Sequence, residues 1–344
     1  MFKRVRATGT MDTDGAAARR VPRCRVGRAG RAGLAVAAVV AALGASACGS
    51  GTGSGGGAAD GAAVTVVAST RVWQDIAAAV GGDTATTTTI IPAGADPHEF
   101  EAAAGDVLTV ADADIVVMNG GGYDDFVAGL VRSAGGGAQI IDAYALHGDA
   151  GHGGAAGSDG HAAHDHGAGE RGVNEHVWFD FDTVGAAADA LAEGMAERDP
   201  DHAAGYRSRA AALRARLAEL GEQADAIAAQ APAPVLSTEP VAHYLLERAG
   251  VEDLTPPGFG EAMEHGSDPA PADIARMREL LAQGTVAALV YNTQADGPAA
   301  RAVRQDAEAA GVPVVEVAET PPGGIGYTDW VSGILDRLGM AVTA

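Results

Sequence analysis

The chain has 344 residues, 47% hydrophobic and 20% charged, a balance that suits one large or two ordinary globular domains and excludes a disordered chain. Its formal charge of −22 hides a basic leader: residues 1–47 carry nine Lys/Arg against Asp12 and Asp14, leaving 14 basic and 43 acidic side chains for the rest. A body that acidic repels phosphate backbones, which argues against nucleic acid as a partner and for cations.

In chain order, the basic leader runs to Arg31 and gives way to "AGLAVAAVVAALGASAC", an apolar run of about a dozen residues. A membrane-spanning helix needs roughly 20, so residues 1–47 read as an export signal. The stretch Ala45-Ser46-Ala47-Cys48 resembles the bacterial lipobox, although that pattern prefers Leu where Ala45 stands. The resemblance implies a lipid on Cys48 and an extracytoplasmic protein anchored to the cell membrane; a plain secretory signal with an incidental cysteine is the alternative. Residues 48–63 form a Gly/Ser-rich tether. Cys24 and Cys48 are the only cysteines, so the mature chain has no disulfide framework and no thiolate metal site. Any metal must be held by nitrogen and oxygen.

From residue 64 the pattern alternates. "AVTVVAST" predicts a buried strand, "VWQDIAAAVGGD" a helix, "TATTTTIIPAG" a strand, and "DVLTVADA" a helix. "DIVVMNG", "YDDFVAGLVRSA" and "AQIIDA" continue as strand, helix, strand. Residues 147–172 lack apolar periodicity and read as a mobile loop carrying His147, His152, His161, His164 and His166. Beyond Asp182 little but "RDPDHAAG" interrupts helix until "APAP", and Leu213, Leu217, Leu220, Ala224 and Ile227 mark a long amphipathic helix. The alternation then restarts: strand "VLST", helix "VAHYLLERAG", a Pro/Gly loop, helix "PADIARMRELLAQG", strand "VAALVYN", helix "GPAARAVRQDAEAAG", strand "VPVVEVA" and a last helix from Tyr327. This order predicts two doubly wound α/β lobes, 64–195 and 233–344, joined by one long helix within 196–232.

No nucleophile elbow or phosphate-binding glycine loop is present, and "NGGGYDDF" reads as a turn opening a helix. Four donors stand where ligands bind in open α/β sheets, at the carboxyl ends of predicted strands. They are His98 in "DPHEFE", His176 in "NEHVWFD", Glu239 in "STEPVAHYLL" and Glu319 in "VEVAETPPGG". Each alone also fits an ordinary role: a loop histidine, a packed histidine, a charge at a helix N-terminus and a solvated carboxylate. Together, two per half, they would converge on the cleft between the lobes.

These motifs resemble the metal-binding lipoproteins of bacterial ABC importers for zinc and manganese, the cluster A-I solute-binding proteins. The resemblance covers about residues 64–342. It implies a rigid linking helix and small lobe tilts, no enzymatic activity, a monomer, and partnership with a membrane permease and its ATPase. It implies His98, His176, Glu239 and Glu319 as metal ligands, with Glu175 replacing the usual Pro of the second motif. The fourth position is usually Asp, and His243 and His265 are the alternatives if the third or fourth assignment fails. The five loop histidines resemble the accessory loop that samples zinc. Two imidazoles with two carboxylates suit Zn²⁺ in tetrahedral form, and Mn²⁺ or Fe²⁺ with higher coordination; the histidine loop tips the expectation to zinc. A surface adhesion or scaffold lipoprotein and an anchored zinc hydrolase are the competing readings.

Overall fold

The computed structural model describes residues 64–92, 94–95, 100–148 and 174–343. The leader, Cys48, the tether, His98, His152, His161, His164 and His166 lie outside the described residues. Everything described falls in one compact unit, Ala58–Ala344.

Four strands, β1 (Val64–Ala68), β2 (Ala85–Thr89), β3 (Ile115–Met118) and β4 (Gln139–Asp142), form a parallel sheet in the order β2-β1-β3-β4. The central strands are apolar on both faces because helices cover both faces. Alternate residues divide between two cores: Val66, Ala68, Ile115 and Val117 face one, while Val67, Val116 and Met118 face the other. The first core receives α1 (Arg71–Gly81) through Val72, Trp73, Ile76 and Val80, at three- and four-residue spacing. The second receives α2 (Ala104–Ala111) and α3 (Phe126–Ser133) through Val110, Val127, Leu130 and Val131. The threonines of β2 suit its edge position.

Helix α4 (Phe181–Arg198) ends at Asp199, which leaves the helical conformation (φ −133°, ψ 75°) before Pro200, and a short 3-10 turn at Pro200–His202 leads into α5 (Ala203–Ala228). The long helix thus occupies 26 residues, and residues 196–202 belong to the end of α4 and the turn. It buries Leu213, Leu217, Leu220, Ala224 and Ile227, and packs against α1, α4, α6 (His243–Arg248) and α10 (Tyr327–Val342).

The second sheet is parallel, β5 (Val235–Ser237), β6 (Ala288–Asn292) and β7 (Val314–Val317), in the order β5-β6-β7. Its inner face (Val235, Ala288, Val290, Val315, Val317) joins the same core as the first sheet, α5 and α10. Its outer face packs on α7 (Pro257–Glu264), α8 (Pro271–Gln283) and α9 (Pro298–Ala309). Helix α7 corrects the expectation of a Pro/Gly loop. Pro257 sits in the first turn, where its missing N–H costs nothing, and Phe259 and Met263 bury one turn apart. No described helix is long and apolar enough to cross a membrane.

Candidate metal centre

Most buried polar side chains among the described residues gather at the carboxyl ends of the two sheets: Ser69 and Thr70 after β1, Asn119 and Asp124 after β3, Thr238 and Glu239 after β5, Asn292 at the end of β6, Glu319 and Thr320 after β7. Strand-end backbone no longer continues its ladder, so polar side chains there take up its donors and acceptors.

The turn after β3 is built from Gly120, Gly121 and Gly122, all with positive φ (77°, 70° and 102°). A Cβ on Gly120 would lie 2.0 Å from Asp142 Oδ1, and one on Gly121 2.5 Å from the Tyr144 ring. Asp124 fills the concavity of this turn, accepting from the backbone N–H of Asn119 (2.7 Å) and Gly120 (2.8 Å). Burial lifts its carboxyl to about 6 against the opposing pull of those bonds and of Ser69. The same turn delivers Tyr123, whose buried hydroxyl donates to Glu319 Oε2 at 3.1 Å. Burial, then the neighbouring Glu319 charge, keeps that phenol neutral and a donor.

His176 does not follow a strand directly, as the sequence suggested. It caps a 3-10 turn, Val177–Phe179, whose three side chains are buried and pin the entry to α4. Its ring packs edge-on against Trp178, with centroids 5.0 Å apart, and 6.2 Å from the Tyr123 ring. The imidazole is packed and also meets a carboxylate: Nε2 lies 3.6 Å from Glu319 Oε2. Asn174 fixes its tautomer. The Asn174 amide donates to Pro240 O (2.9 Å), so Oδ1 is the acceptor that meets both the His176 N–H and Nδ1 at 2.8 Å. Nδ1 then carries a proton, and Nε2 is the ring nitrogen that faces Glu319.

Glu239 follows β5 and caps the 3-10 turn Pro240–Ala242; Glu319 follows β7. Both are buried, and both accept from Asn292 Nδ2, Glu319 through Oε1 at 2.8 Å. The structure thus brings His176, Glu239 and Glu319 together from three distant segments. Ala95, three residues before His98 in the sequence, is linked to the same place: Gln294 donates to Ala95 O (2.9 Å) and accepts from the N–H of Thr320, next to Glu319 (2.9 Å).

The other histidines stand elsewhere. His147 is held by Asp180 Oδ2 (2.9 Å) and Thr183 Oγ1 (3.0 Å) at the start of α4, against the Tyr244 ring. His243 opens α6 with its ring on Tyr244. His265 is exposed, with Nδ1 2.7 Å from Glu261 O, and with Glu239, Glu264, Asp268 and Asp296 it lines a cavity of about 740 Å³. Glu264, at the end of α7, reaches 3.8 Å from His176 Nδ1 and forms with Glu175 and His176 a compact group of potential ligands. Burial, then the Glu264 charge, raises the Glu175 carboxyl to about 7. Sequence reasoning did not single out Tyr123, Asn174, Glu264 or Asn292. Of these, only Asn292 carried a signal, as a polar residue ending an otherwise apolar strand between two candidate ligands.

Residues 66–341 match the model of the family described as ZnuA, zinc-uptake complex component A periplasmic. The chain belongs to the ZnuA family. Members of the ZnuA family are metal-binding substrate-binding proteins of ABC transporters, not enzymes, which sets the hydrolase reading aside. The manganese-binding lipoprotein MntA of Halalkalibacterium halodurans is 26% identical over 237 residues, 66% of this chain and 70% of that protein. The metal ABC transporter substrate-binding lipoprotein SsaB of Streptococcus sanguinis is 29% identical over 165 residues, 46% of this chain and 50% of that one. Among solved structures, the periplasmic zinc binding protein TroA of Treponema pallidum shares the fold at TM-score 0.65 and 18% identity, covering 82% of this chain and 99% of that one. FpvC of Pseudomonas aeruginosa, in complex with Mn²⁺, does so at 0.63 and 23%, covering 81% and 98%. The two α/β lobes expected from the alternating elements are observed, in a fold of the ZnuA type.

Proposed function

We propose that this ZnuA-family chain captures Zn²⁺ outside the cytoplasm through His98, His176, Glu239 and Glu319 and hands it to an ABC permease driven by its ATPase, while held to the membrane by a lipid on Cys48. The observation that carries the reading is the convergence of three buried donors, His176, Glu239 and Glu319, from segments more than 60 residues apart, with His176 Nε2 3.6 Å from Glu319 Oε2. Two carboxylates with neutral imidazoles offset a divalent charge, and an aromatic wall keeps the ion dry. Zinc is favoured because N/O sites of this kind hold it more tightly than manganese, and because the family is described as a zinc-uptake component. Manganese or iron(II) is the second reading, supported by relatives named for those metals.

The lobe limits 64–195 and 233–344, the monomeric state and the accessory role of His147, His152, His161, His164 and His166 belong to the same proposal. A surface-adhesion role is the third reading; a laminin-binding adhesin of Streptococcus agalactiae shares the fold at TM-score 0.66 and 19% identity, a likeness of fold alone. The test is metal content and competitive binding of the protein purified without chelator. One zinc per chain, lost in Glu239→Ala and kept when residues 148–172 are deleted, supports the cleft site. Selective retention of manganese moves the cargo to the second reading, and the absence of a tight site overturns the transport role.

A further inference from the structure

The three-stranded sheet ends in a row: Glu239 two residues beyond β5, Asn292 on the last residue of the central strand β6, and Glu319 two residues beyond β7. The parallel register sets Ser237 beside Val290 and Asn292 beside Val317, so the Asn292 side chain leaves the sheet between the two carboxylates. It is buried, with 1% exposure. Its orientation is fixed from the other side. Oδ1 accepts the Gln294 N–H at 3.1 Å, and its backbone N–H donates to Thr238 Oγ1 at 2.9 Å. Nδ2 therefore faces the glutamates, and its two hydrogens go one to Glu239 Oε2 and one to Glu319 Oε1.

This arrangement commits one oxygen of each carboxylate to the same amide. A cation is then met through Glu239 Oε1 and Glu319 Oε2; the latter faces His176 Nε2, and the Tyr123 hydroxyl that it accepts can turn its proton aside about one bond, whereas the Asn292 amide, held at Oδ1 by the Gln294 N–H, cannot. Each carboxylate is held to one-oxygen ligation. Zn²⁺ is content with four ligands, whereas Mn²⁺ and Fe²⁺ reach higher coordination most readily when carboxylates bind through both oxygens. Turning either glutamate to bind through two oxygens breaks a buried hydrogen bond to a charged group, a penalty of tenfold or more, on the order of what such bonds contribute.

We infer that Asn292 is a specificity-determining residue that clamps Glu239 and Glu319 in one-oxygen geometry and so selects four-coordinate metals over manganese. The inference rests on the cleft reading above and deepens it. Asn292 touches no metal; it acts through the two carboxylates.

The test uses the whole protein, as wild type and as Asn292→Ala. Two readouts are needed: the electronic spectrum of Co²⁺ bound in place of the cargo, and the zinc-to-manganese affinity ratio by competition. Intense four-coordinate Co²⁺ bands in the wild type are expected. In Asn292→Ala those bands should weaken to a higher-coordinate spectrum, and the ratio should fall by about tenfold or more. A variant that keeps both the spectrum and the ratio overturns the inference, as does a wild-type spectrum that is five- or six-coordinate. If circular dichroism shows that Asn292→Ala does not fold, Asn292→Ser, which cannot donate to both carboxylates at once, is read by the same two criteria. A wild type that binds none of the three metals tightly overturns the cleft reading instead, so the two failures are distinct.

Discussion

Asn174 joins the two sides of the cleft through four hydrogen bonds: it accepts the N–H and Nδ1–H of His176 on Oδ1, donates to Pro240 O, and accepts the Tyr244 hydroxyl on its carbonyl at 2.7 Å. Removing the side chain frees the His176 ring to take the other tautomer and to rotate. Asn174→Ala should therefore weaken zinc binding by about 10–100-fold, the usual cost of losing a partner behind a ligand, while the far-ultraviolet circular dichroism stays that of the wild type. Competition against a chromophoric chelator measures it, and an unchanged affinity would remove Asn174 from any role in the site. At this scale a donor type in a recognisable motif pointed to His176, Glu239 and Glu319, three residues that the fold brings together. It was mute about Asn174, Asn292 and Tyr123, because amides and phenols become informative only once the atoms they face are known. Glu264 was hidden for another reason: the helix that carries it looked like a loop.

That helix shows what element-scale reading misses. Pro256, Pro257, Gly258 and Gly260 suggested a loop, yet proline at a first turn pre-sets φ, and two buried side chains outweigh the glycines. Elsewhere period and composition agreed with the tertiary environment, so the seven strands and the long α5 fell where expected. The glycine turn after β3 is the element on which the site most depends, since it seats both Asp124 and Tyr123. Gly121→Ala should destabilise the protein by about 1–3 kcal/mol, from left-handed backbone strain and the clash with the Tyr144 ring. It should also weaken metal binding through Tyr123. Gly137→Ala is the control: its added Cβ meets nothing and its backbone is ordinary, so its effect should stay within about 0.5 kcal/mol. Urea unfolding of both variants decides, and equal midpoints would refute the strained-turn account.

Across the whole molecule the two sheets share one core, in which Val66 and Val117 of the first sheet, Leu217 and Leu220 of α5, and Val290 and Val317 of the second are continuous. The sequence showed two lobes and a helix between them, but periodicity cannot show that their inner faces merge. A shared core predicts one cooperative unfolding transition, so a local electrostatic cost in the cleft registers in the stability of the entire chain. Glu175 supplies such a cost. Its folded carboxyl, raised from 4.5 to about 7 by burial and by Glu264, holds a proton that the unfolded chain has already released over that interval. Between those values the native state binds more protons than the unfolded state, so stability falls as pH rises, and above about 7 the whole penalty is present. Gln in place of Glu175 carries no charge to bury. Glu175→Gln should therefore raise the metal-free unfolding midpoint at about pH 8 and leave it unchanged near pH 4.5, where the glutamate is protonated in the folded state and carries little of the penalty. Denaturant titrations of both proteins at the two pH values measure this. A gain that is equal at both would mean that packing, not charge, distinguishes the variant, and a loss at pH 8 would mean that the Glu175 carboxylate stabilises the cleft it crowds.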